Sequence, residues 1–518
     1  MLDLGTSLIA SVERDPSALA ICDGDLELTY EAWFGKISAL VAGLATLGLK
    51  PGDHVLTVLQ NRWENASLHW ACQLAGLIVT PLNWRAKPDE IDYAIEDAEA
   101  KIVVYEDATA GAVAQAPKAN GLPKLKAGEP DAEAESLTLL MASSSPDASP
   151  RASADDWSLM LYTSGTTSRP KGVPRRHRAE RAAAIAHVAQ NLYRHGECTL
   201  GVMPLYHTMG VRSLLASSVI GGTFVCLRRF DVKGALDAIA RRSVTNLYLV
   251  PTLYHDIVHH PDFSKDKVAT VTKLGYAGAS MTDGLMKKLM SAFEPELFVN
   301  HYGSSEVYTF TIDQNAAAKP GSAGRAGINQ RIRVVPLGAD DTGVRVKTGE
   351  EGEIVASLLG DESFEGYWKR PEASAKALRD GWYFTGDTGF VDADGDLFVT
   401  GRADDMIITG GENVSPVEVE SCLSLHPDVV EVAVVGLPDE RWGKIVTAFV
   451  KRSAPIDDAA LDDHCKTSGL ANFRRPRAYV FVDEIPKSPV GKLLRRKLVA
   501  GEYDAETSVG DSRQPAFS

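Results

Sequence analysis

Short apolar runs alternate with longer amphipathic stretches in the first part of the chain. The first amphipathic stretch ends in Gly-Leu-Lys-Pro-Gly, a combination of glycine and proline that stops a helix. Strands that alternate with helices predict a layered α/β sheet. The predicted strands are residues 28–30, 54–59, 78–82 and 101–105, and the predicted helices are residues 32–49 and 63–77.

A third helix is predicted over residues 179–192, where alanine dominates. Ala182, Ala183, Ala184 and Ala186 give this helix a slim side. Such a side suits either the wall of a cavity or close packing against another helix, and the pattern alone leaves both open.

The C-terminal part of the chain predicts a second, smaller α/β unit. Asp394-Gly395 lies between apolar runs and predicts a hairpin turn; the neighbouring aspartates do not have the spacing of a calcium loop. Ser415 precedes Pro416, and Glu418 completes a capping box at the start of a helix. Strands are predicted near residues 429–435 and 445–450.

Length and composition restrict the class of protein. A chain of 518 residues is too long for one core, so we expect at least two domains. Six scattered cysteines without C-x-x-C spacing argue against a disulfide framework or a zinc site, and they favour a reducing, cytoplasmic location. The apolar runs are too short to span a membrane, and the acidic N-terminus does not resemble a signal peptide. A net charge of -15 disfavours non-specific binding to nucleic acid.

Residues 161–174 read Leu-Tyr-Thr-Ser-Gly-Thr-Thr-Ser-Arg-Pro-Lys-Gly-Val-Pro. Hydroxyl groups, a glycine that lets backbone N–H groups turn inward and a lysine at the rim are groups that bind phosphates. Pro170 and Gly172 flank the lysine, so the segment is not a Walker A loop. A flexible surface turn is the alternative, and the segment alone does not decide between them. The candidate phosphate-binding residues are Thr163, Ser164, Gly165, Thr166, Thr167 and Lys171.

Five further segments follow this loop at residues 203–207, 300–306, 380–387, 401–411 and 486–492. They read Met-Pro-Leu-Tyr-His, Asn-His-Tyr-Gly-Ser-Ser-Glu, Asp-Gly-Trp-Tyr-Phe-Thr-Gly-Asp, Gly-Arg-Ala-Asp-Asp-Met-Ile-Ile-Thr-Gly-Gly and Pro-Lys-Ser-Pro-Val-Gly-Lys. With the phosphate loop, they resemble the signature of the acyl-adenylate-forming superfamily, which includes acyl-CoA synthetases, adenylation domains and luciferase. The resemblance covers nearly the whole chain. It departs at Ser168, where the family usually has glycine.

This resemblance implies an α/β fold with a large, multi-layered N-terminal domain and a small, mobile C-terminal α/β domain. The large domain is expected over residues 1–403 and the small domain over residues 404–518. Asp404 is the expected hinge, since a few residues at the end of an element can absorb a large backbone change.

The resemblance also implies roles for the nucleotide-binding residues. Tyr302 would lie against adenine, and Ser305 would supply the hydroxyl of the family's usual threonine. An ionised carboxylate has two acceptor oxygens, so Asp387 could accept hydrogen bonds from both ribose hydroxyls. The remaining roles are Mg²⁺ binding by Glu306 with Thr167, contact with ribose or phosphate by Arg402, and stabilisation of charge during adenylation by Lys492.

Coenzyme A is the second nucleotide that the resemblance implies. Gly410 and Gly411 would line the passage for its pantetheine arm. Aromatic and arginine residues would stack on its adenine and pair with its phosphates, as in the aryl-CoA ligases that this part of the chain resembles. These residues are Arg85, Trp442, Phe473, Arg475 and Arg477.

An acid-binding pocket is expected beside His207, which would gate its channel. Ala186 would widen this pocket, and His301 and Tyr308 would make it more polar. No lysine or arginine stands among the pocket positions, so we expect a monocarboxylic acid rather than a dicarboxylic one. The pocket positions are Ala186, His207, Thr208, Met209, Tyr248, Ala279, His301, Gly303 and Tyr308.

These features predict an AMP-forming acid–CoA ligase that acts on a small aromatic or heteroaromatic acid, such as a benzoate or a furoate. The substrates and cofactors would be a small carboxylic acid, ATP, Mg²⁺ and coenzyme A. No nucleic acid or membrane partner is expected, and a homodimer is left open. The alternatives are a medium-chain or alicyclic acyl-CoA synthetase, a stand-alone adenylation enzyme that loads a carrier protein, a luciferase-like oxygenase, and a non-catalytic nucleotide-binding protein.

Overall fold

The computed structural model describes residues 2–129, 134–163, 169–339, 341–402, 405–488, 491 and 493–506. The α-helices in these ranges are α1 Leu4–Arg14, α2 Tyr30–Thr46, α3 Trp63–Ala75, α4 Pro88–Ala98, α5 Asp107–Ala114, α6 Leu137–Ala142, α7 His177–Gln190, α8 Thr208–Val219, α9 Val232–Arg242, α10 Pro251–His259, α11 Asp283–Phe293, α12 Pro371–Ala377, α13 Pro416–Leu423, α14 Asp458–Thr467 and α15 Arg495–Val499. Short 3₁₀ turns occur at Ala119–Gly121 and Asp266–Val268.

The strands in the same ranges are β1 Leu19–Asp23, β2 Leu26–Thr29, β3 His54–Val58, β4 Ile78–Pro81, β5 Ile102–Glu106, β6 Lys124–Ala127, β7 Glu135–Ser136, β8 Trp157–Thr163, β9 Lys171–Arg176, β10 Cys198–Gly201, β11 Thr223–Cys226, β12 Asn246–Leu249, β13 Lys273–Ala277, β14 Leu297–Tyr302, β15 Thr311–Asp313, β16 Ser322–Ala326, β17 Ile332–Val335, β18 Gly352–Ser357, β19 Leu378–Arg379, β20 Trp382–Val391, β21 Leu397–Arg402, β22 Ile407–Thr409, β23 Glu412–Val414, β24 Val429–Asp439, β25 Gly443–Arg452 and β26 Ala478–Phe481.

Two large sheets form the N-terminal part of the fold. One has the strand order β7-β6-β5-β3-β4-β8-β9, and only its β8–β9 pair is antiparallel. The other runs β17-β18-β20-β21-β16-β15-β14-β13-β12-β10-β11-β1-β2. In this order, neighbouring strands are antiparallel from β17 through β15 and parallel from β14 through β1. Strands that are buried on both faces explain the continuous apolar runs in the sequence.

Helices α3, α7 and α8 lie in the interior between the two sheets. Every residue from Glu64 to Ala75 on α3 is buried, and so is nearly all of α8. One core cluster combines residues of α3, α7 and α8 with Leu161 of one sheet and Phe224 of the other. The slim alanine face of α7 belongs to this core, since Ala183 and Ala184 are buried in it. A helix that is buried on all sides needs partners on all sides, and two sheets provide them.

The C-terminal part is a small α/β unit. Strands β24, β25 and β26 form a three-stranded sheet, and β22 and β23 form a hairpin beside it. Ser415 caps α13 by accepting a hydrogen bond from the Glu418 N–H, as the capping motif predicts. A large α/β domain followed by a small one confirms the predicted fold class.

The predicted hairpin between β20 and β21 is also confirmed. Its three aspartates lie close enough to hold a cation, but the Lys319 ammonium group occupies that position and pairs with Asp392, Asp394 and Asp396. The cluster is therefore an internal ion-pair network. All six cysteines are free thiols. Among the described residues, no helix is both long enough and apolar enough to cross a membrane.

Five histidines are buried in the large domain: His54, His69, His177, His187 and His301. Burial lowers the pKa of His54 and His177 to about 4 and that of His69 to about 3. It also lowers the pKa of His187 and His301 well below the ordinary value. These rings are therefore neutral in the native protein at neutral pH.

We expect the stability of the protein to fall as the pH drops below about 6.5, the ordinary histidine pKa, because these rings gain protons only when the chain unfolds. Each ring contributes a loss of up to about 1.4 kcal/mol per pH unit until the pH reaches its folded pKa. Urea unfolding midpoints at pH 7.5, 6.5 and 5.5 measure the loss. His69→Gln should reduce the slope, whereas His260→Gln, a change at a partly exposed ring, should not. Equal midpoints at all three pH values would contradict the assignment.

Candidate active site

The candidate site lies where the parallel strands of the large sheet end. Strands β12, β13 and β14 end at Leu249, Ala277 and Tyr302, next to one another in the sheet. In open α/β sheets, ligands bind in the crevice beyond the carboxyl ends of the strands. The predicted segment 300–306 includes the end of β14, and segment 203–207 follows β10, the neighbour of β12 in the sheet.

The phosphate loop connects the two antiparallel strands β8 and β9. Thr163 and Lys171 face each other in register at the base of the loop, and the Thr163 hydroxyl donates to the Lys171 carbonyl at 3.4 Å. The Lys171 ammonium lies 4.3 Å from the centre of the Tyr367 ring. Ser164, Gly165, Thr166, Thr167 and Ser168 lie outside the described residues.

Glu306 is buried and held by several partners. Its carboxylate accepts a hydrogen bond of 2.8 Å from the Tyr367 hydroxyl, and its backbone carbonyl accepts one of 2.9 Å from Arg175. Burial, and then the neighbouring Glu306 charge, raise the pKa of Tyr367, so this hydroxyl keeps its proton and donates. Tyr367 therefore links Lys171 to Glu306. Sequence reasoning missed Tyr367, because its position in the chain carries no motif.

The predicted ribose and adenine residues form one hydrogen-bonded group. The Tyr302 hydroxyl donates to Asp387 Oδ2 at 2.6 Å, and Arg402 Nη1 donates to Asp387 Oδ1 at 2.9 Å. Asp387 and Arg402 are register partners on β20 and β21. Burial, and then the charge of Asp387, raise the pKa of Tyr302, which keeps this phenol a donor. Ser305 lies partly buried between Tyr302 and Glu306 in the sequence.

His207 is the N-cap of α8 and accepts a hydrogen bond from the Met209 N–H through Nδ1 at 3.3 Å. The loop before it is held by the buried side chain of Asn61. Its Nδ2 donates to the carbonyls of Gly201, Val202 and Met203, and its Oδ1 accepts from the Leu205 N–H. Asn61 therefore fixes the loop that presents His207, a role for which no local motif exists around residue 61.

Several predicted acid-pocket residues do meet in space. Met209 and Tyr248 are buried in one cluster with Met203, Val250 and Ala277. Thr208, which precedes Met209 at the start of α8, is also buried. Glycine at position 303 lets the backbone at Tyr308 approach closely, because a β-carbon there would lie 2.1 Å from the Tyr308 carbonyl oxygen. Ala279 is partly buried just beyond β13.

His301 packs in a ring cluster that sequence reasoning described only in part. Its ring stacks on His187 at a centroid distance of 5.1 Å, and the Tyr248 ring meets it edge-on at 4.9 Å. The predicted wall residue Ala186 is buried, but α7 places the side chain of the next residue, His187, against His301. This wall is therefore polar and aromatic.

Asn191 fixes the proton positions of both rings. Asn191 Oδ1 can only accept a hydrogen bond, so the His301 Nε2 that contacts it carries a proton. Asn191 Nδ2 can only donate, so the His187 Nδ1 that contacts it carries no proton. Neutral His187 therefore has its proton on Nε2, and neutral His301 has a bare Nδ1. Within the described residues, both of these buried atoms lack a hydrogen-bond partner.

Charged side chains surround Tyr308. Its hydroxyl donates to Glu180 at 3.0 Å, and Glu180 forms a fully buried ion pair of 2.8 Å with Arg175. Arg175 and Arg212 lie 4.1 and 5.1 Å from the Tyr308 ring centre. No basic residue was expected among the pocket positions. Arg212, on α8, changes this picture, because it is only 2% exposed and lies beside Tyr308.

Three of the predicted CoA residues meet in the small domain. The Trp442 carbonyl accepts from the Gly410 N–H, and a β-carbon at Gly410 would lie 2.6 Å from the Trp442 ring. The Arg477 guanidinium lies 4.4 Å from the same ring centre. Gly411 follows Gly410 in the turn between β22 and β23 and is exposed. A side chain at Gly410 would therefore displace the indole.

The other predicted CoA residues lie apart from Trp442 or face other partners. Arg475 forms an ion pair of 3.0 Å with Asp462, and Phe473 packs on the core of the small domain beside Arg474. Arg85 stacks over Trp84 in the large domain. Any phosphate bound by Arg475 has to compete with Asp462.

The small domain also touches the large domain at the strand ends. The Thr252 hydroxyl on α10 donates to the Gly491 carbonyl at 3.1 Å. A β-carbon at Gly491 would lie 2.9 Å from Val250, which belongs to the same cluster as Met209 and Tyr248. Lys492 and Asp404 lie outside the described residues, so their roles stay predictions, as does the domain boundary at residues 403–404.

Comparisons with known proteins agree with this arrangement. The family model described as AMP-binding enzyme matches residues 8–368, and the model for the AMP-binding enzyme C-terminal domain matches residues 418–492. The chain is similar to a 4-chlorobenzoate–CoA ligase of Arthrobacter sp, with 34% identity over 94% of this chain and 93% of that protein. It is also similar to a feruloyl-CoA synthase of Amycolatopsis sp, with 33% identity over 95% and 97%.

Among solved structures, the anthranilate CoA ligase AuaEII in complex with anthranoyl-AMP superimposes with a TM-score of 0.89. It is 26% identical in sequence, and the match covers 97% of each chain. The similarity therefore extends over both domains.

We expect Asn61→Ala to lower the free energy of unfolding by about 2–3 kcal/mol, because buried carbonyls and one N–H lose their partner. The loop that carries His207 should also move, which raises KM for the acid more than KM for ATP. Urea unfolding and steady-state kinetics measure the two effects. Asn120→Ala, an exposed change of the same kind, is the control. Unchanged stability and unchanged KM for the acid would show that Asn61 does not hold the loop.

Proposed function

Because this chain belongs to the family of AMP-binding enzymes and is an AMP-forming acid–CoA ligase, we propose that its acid substrate is a small aromatic or heteroaromatic carboxylic acid, such as a benzoate or a furoate. The observation that carries this proposal is the buried ring cluster of Tyr248, His187 and His301 beside Met209. Flat aromatic walls favour a flat ring. The names of the similar ligases, which refer to chlorobenzoate, ferulate and anthranilate, support the same class.

In the proposed first step, a carboxylate oxygen of the acid attacks the α-phosphate of ATP and pyrophosphate leaves. Asp387 would hold the ribose, with Arg402 beside it, and Tyr302 would lie against the adenine. Lys492 would offset the negative charge that builds up on the α-phosphate. Lys171 and the hydroxyls of the phosphate loop would bind the leaving phosphates.

Glu306 has the chemistry to hold Mg²⁺, since its carboxylate supplies the oxygen ligands that this ion prefers and phosphate-bound Mg²⁺ takes only one or two carboxylates. Thr167 is the second proposed ligand. When bound, the ion would neutralise phosphate charge. Tyr367 would keep the Glu306 carboxylate oriented through its hydrogen bond.

In the proposed second step, the thiol of coenzyme A attacks the acyl carbon of the adenylate and AMP leaves. Lys492 and the pantetheine arm need the same space, so the small domain has to turn about Asp404 between the steps. Gly410, Gly411, Trp442 and Arg477 would then guide coenzyme A, with Phe473, Arg475 and Arg85 beside its adenine and phosphates. The contact between Thr252 and Gly491 belongs to the first of these two arrangements, because it brings the neighbour of Lys492 to the acid pocket.

We expect the purified protein to release pyrophosphate and form AMP and acyl-CoA with at least one member of a panel of aryl, heteroaryl, alicyclic and aliphatic acids. Lys492→Ala should slow pyrophosphate release roughly 100- to 1,000-fold, as does loss of one charge-stabilising donor in other enzymes. Transfer of a supplied acyl-AMP to coenzyme A should change little. Lys347→Ala, at an exposed lysine, is the control. A faster rate with medium-chain or alicyclic acids than with aryl acids would overturn the proposed substrate class.

Thr252→Val removes the hydroxyl that holds Gly491, and it keeps the side chain at nearly the same size. We expect acyl-AMP formation in a single turnover to fall roughly 2- to 10-fold, the effect of one lost hydrogen bond. Acyl transfer from supplied acyl-AMP should stay the same or become faster, because the competing domain arrangement is relieved. Thr272→Val, just before the amino end of β13, is the matched control. An equal loss in both half-reactions would argue against a contact specific to adenylation.

A further inference from the structure

Arg212 is a buried charged residue beside the predicted acid pocket that the proposed mechanism does not use. It lies on α8, five residues after His207, which places it about 7.5 Å further along the helix axis. Thr208 and Met209, which precede it by four and three residues, share its face of the helix. Arg212 therefore lies further along α8 than His207, on the helix face that also carries the predicted pocket residues Thr208 and Met209.

The guanidinium of Arg212 lies among pocket residues. It is 5.1 Å from the centre of the Tyr308 ring. Burial lowers the pKa of His301, and the Arg212 charge lowers it further by a smaller amount. Burial and the Arg212 charge also lower the pKa of His187. Burial raises the pKa of Tyr248, and the Arg212 charge and a hydrogen bond between Arg212 and Tyr248 oppose that rise. The Arg212 charge therefore acts on three predicted pocket residues, Tyr308, His301 and Tyr248.

Arg212 has unused hydrogen-bonding capacity. Its side chain is 2% exposed, yet Nε and Nη1 find no acceptor within the described part of the chain. An arginine buried in this way is costly to the fold unless a further partner completes it. The other arginine beside Tyr308, Arg175, differs in charge balance: within the described residues its Nη2 also has no partner, but its charge is paired with Glu180.

A counter-ion role toward Glu362 does not account for these donors. Burial raises the pKa of Glu362, and Asn329 donates to its Oε1 at 3.0 Å. Its Oε2 has no hydrogen-bond partner among the described residues, so it accepts nothing from Arg212. The Arg212 charge lowers the pKa of Glu362 against the effect of burial, without a hydrogen bond to Glu362 Oε2.

His187 adds a second donor to the same wall. Its Nε2 carries a proton and, within the described residues, has no acceptor. A wall with donors from a guanidinium and an imidazole suits an oxygen acceptor and does not suit a methyl group or a halogen. A guanidinium also binds a carboxylate through two parallel hydrogen bonds.

We propose that Arg212 is a specificity-determining residue that binds an oxygen acceptor on the acid substrate, at the end of the acid remote from its reacting carboxyl group. The acceptor is a hydroxyl group or a second carboxylate. This inference rests on the proposed function, because it requires that the acid is adenylated beside His207. It also revises the expectation that a dicarboxylic acid is disfavoured.

The test compares acids of matched size. Pyrophosphate release is measured for 4-hydroxybenzoate, 4-methylbenzoate, terephthalate and benzoate with the wild-type protein, Arg212→Met, Arg212→Lys and the surface control Arg241→Met. For the wild type, we expect kcat/KM to be higher for 4-hydroxybenzoate or terephthalate than for 4-methylbenzoate. The better of the two acceptor acids identifies the acceptor as a hydroxyl or a carboxylate.

Arg212→Met should lower the ratio of kcat/KM for the better acceptor acid to kcat/KM for 4-methylbenzoate roughly 10- to 100-fold, as expected for loss of a charged hydrogen bond. The value of kcat/KM for 4-methylbenzoate itself should stay unchanged or increase. Arg212→Lys should restore part of the ratio, and Arg241→Met should leave it intact. Without substrate, Arg212→Met should unfold at the same or a higher urea concentration, because an incompletely paired buried charge is removed.

Two results would overturn the inference while leaving the ligase activity in place. One is a wild-type preference for 4-methylbenzoate, which decides the matter even if Arg212→Met does not fold. The other is an equal loss of kcat/KM for all four acids in Arg212→Met, which is the effect expected of a residue with only a structural role. Absence of pyrophosphate release with every acid would instead reject the proposed function, and the inference with it.

Discussion

The hydrogen bond from Tyr302 to Asp387 joins the two halves of the large sheet at the nucleotide site. Tyr302 ends the parallel half on β14, and Asp387 lies on β20 in the antiparallel half. Arg402 pairs with the same carboxylate and is the last residue of β21, just before the expected hinge. The residues that would hold ribose are thus continuous with the strand that leads to the small domain. The proposed movement of that domain and the proposed binding of the nucleotide therefore depend on the same pair of strands, β20 and β21.

Burial is what gives this site its chemistry. Proteins rarely leave polar atoms buried without partners, because each one opposes folding. Within the described residues, several such atoms belong to His187, His301, Arg212 and Glu362, around the proposed acid pocket, and others are distributed through the rest of the interior. The atoms around the pocket include donors on Arg212 and His187 and acceptors on His301 and Glu362, which a polar ligand could complete.

The small domain has two faces that bear on the reaction. One carries Gly491, which contacts Thr252 beside the acid pocket. The other carries Gly410 and Trp442, with Arg477 over the indole. Both faces depend on glycines whose neighbours leave no room for a β-carbon. The proposed alternation between the two half-reactions exchanges these faces while the nucleotide site stays in place.

The sequence by itself determined the α/β class, through alternating strands and helices, and the family, through short contiguous segments such as residues 161–174 and 380–387. Each of these signals lies in neighbouring residues, so it is readable without a fold. The roles of the phosphate loop and of Tyr302, Asp387 and Arg402 stay predictions, and only the structure joins the last three in one hydrogen-bonded group. Asn61, Tyr367, His187 and Arg212 were different. They come from separate elements, and their roles depend on which distant partners are buried against them and which donors are left unused. Only the packing of α7 and α8 between the two sheets decided that, because burial is a property of the assembled core and not of any local stretch of chain.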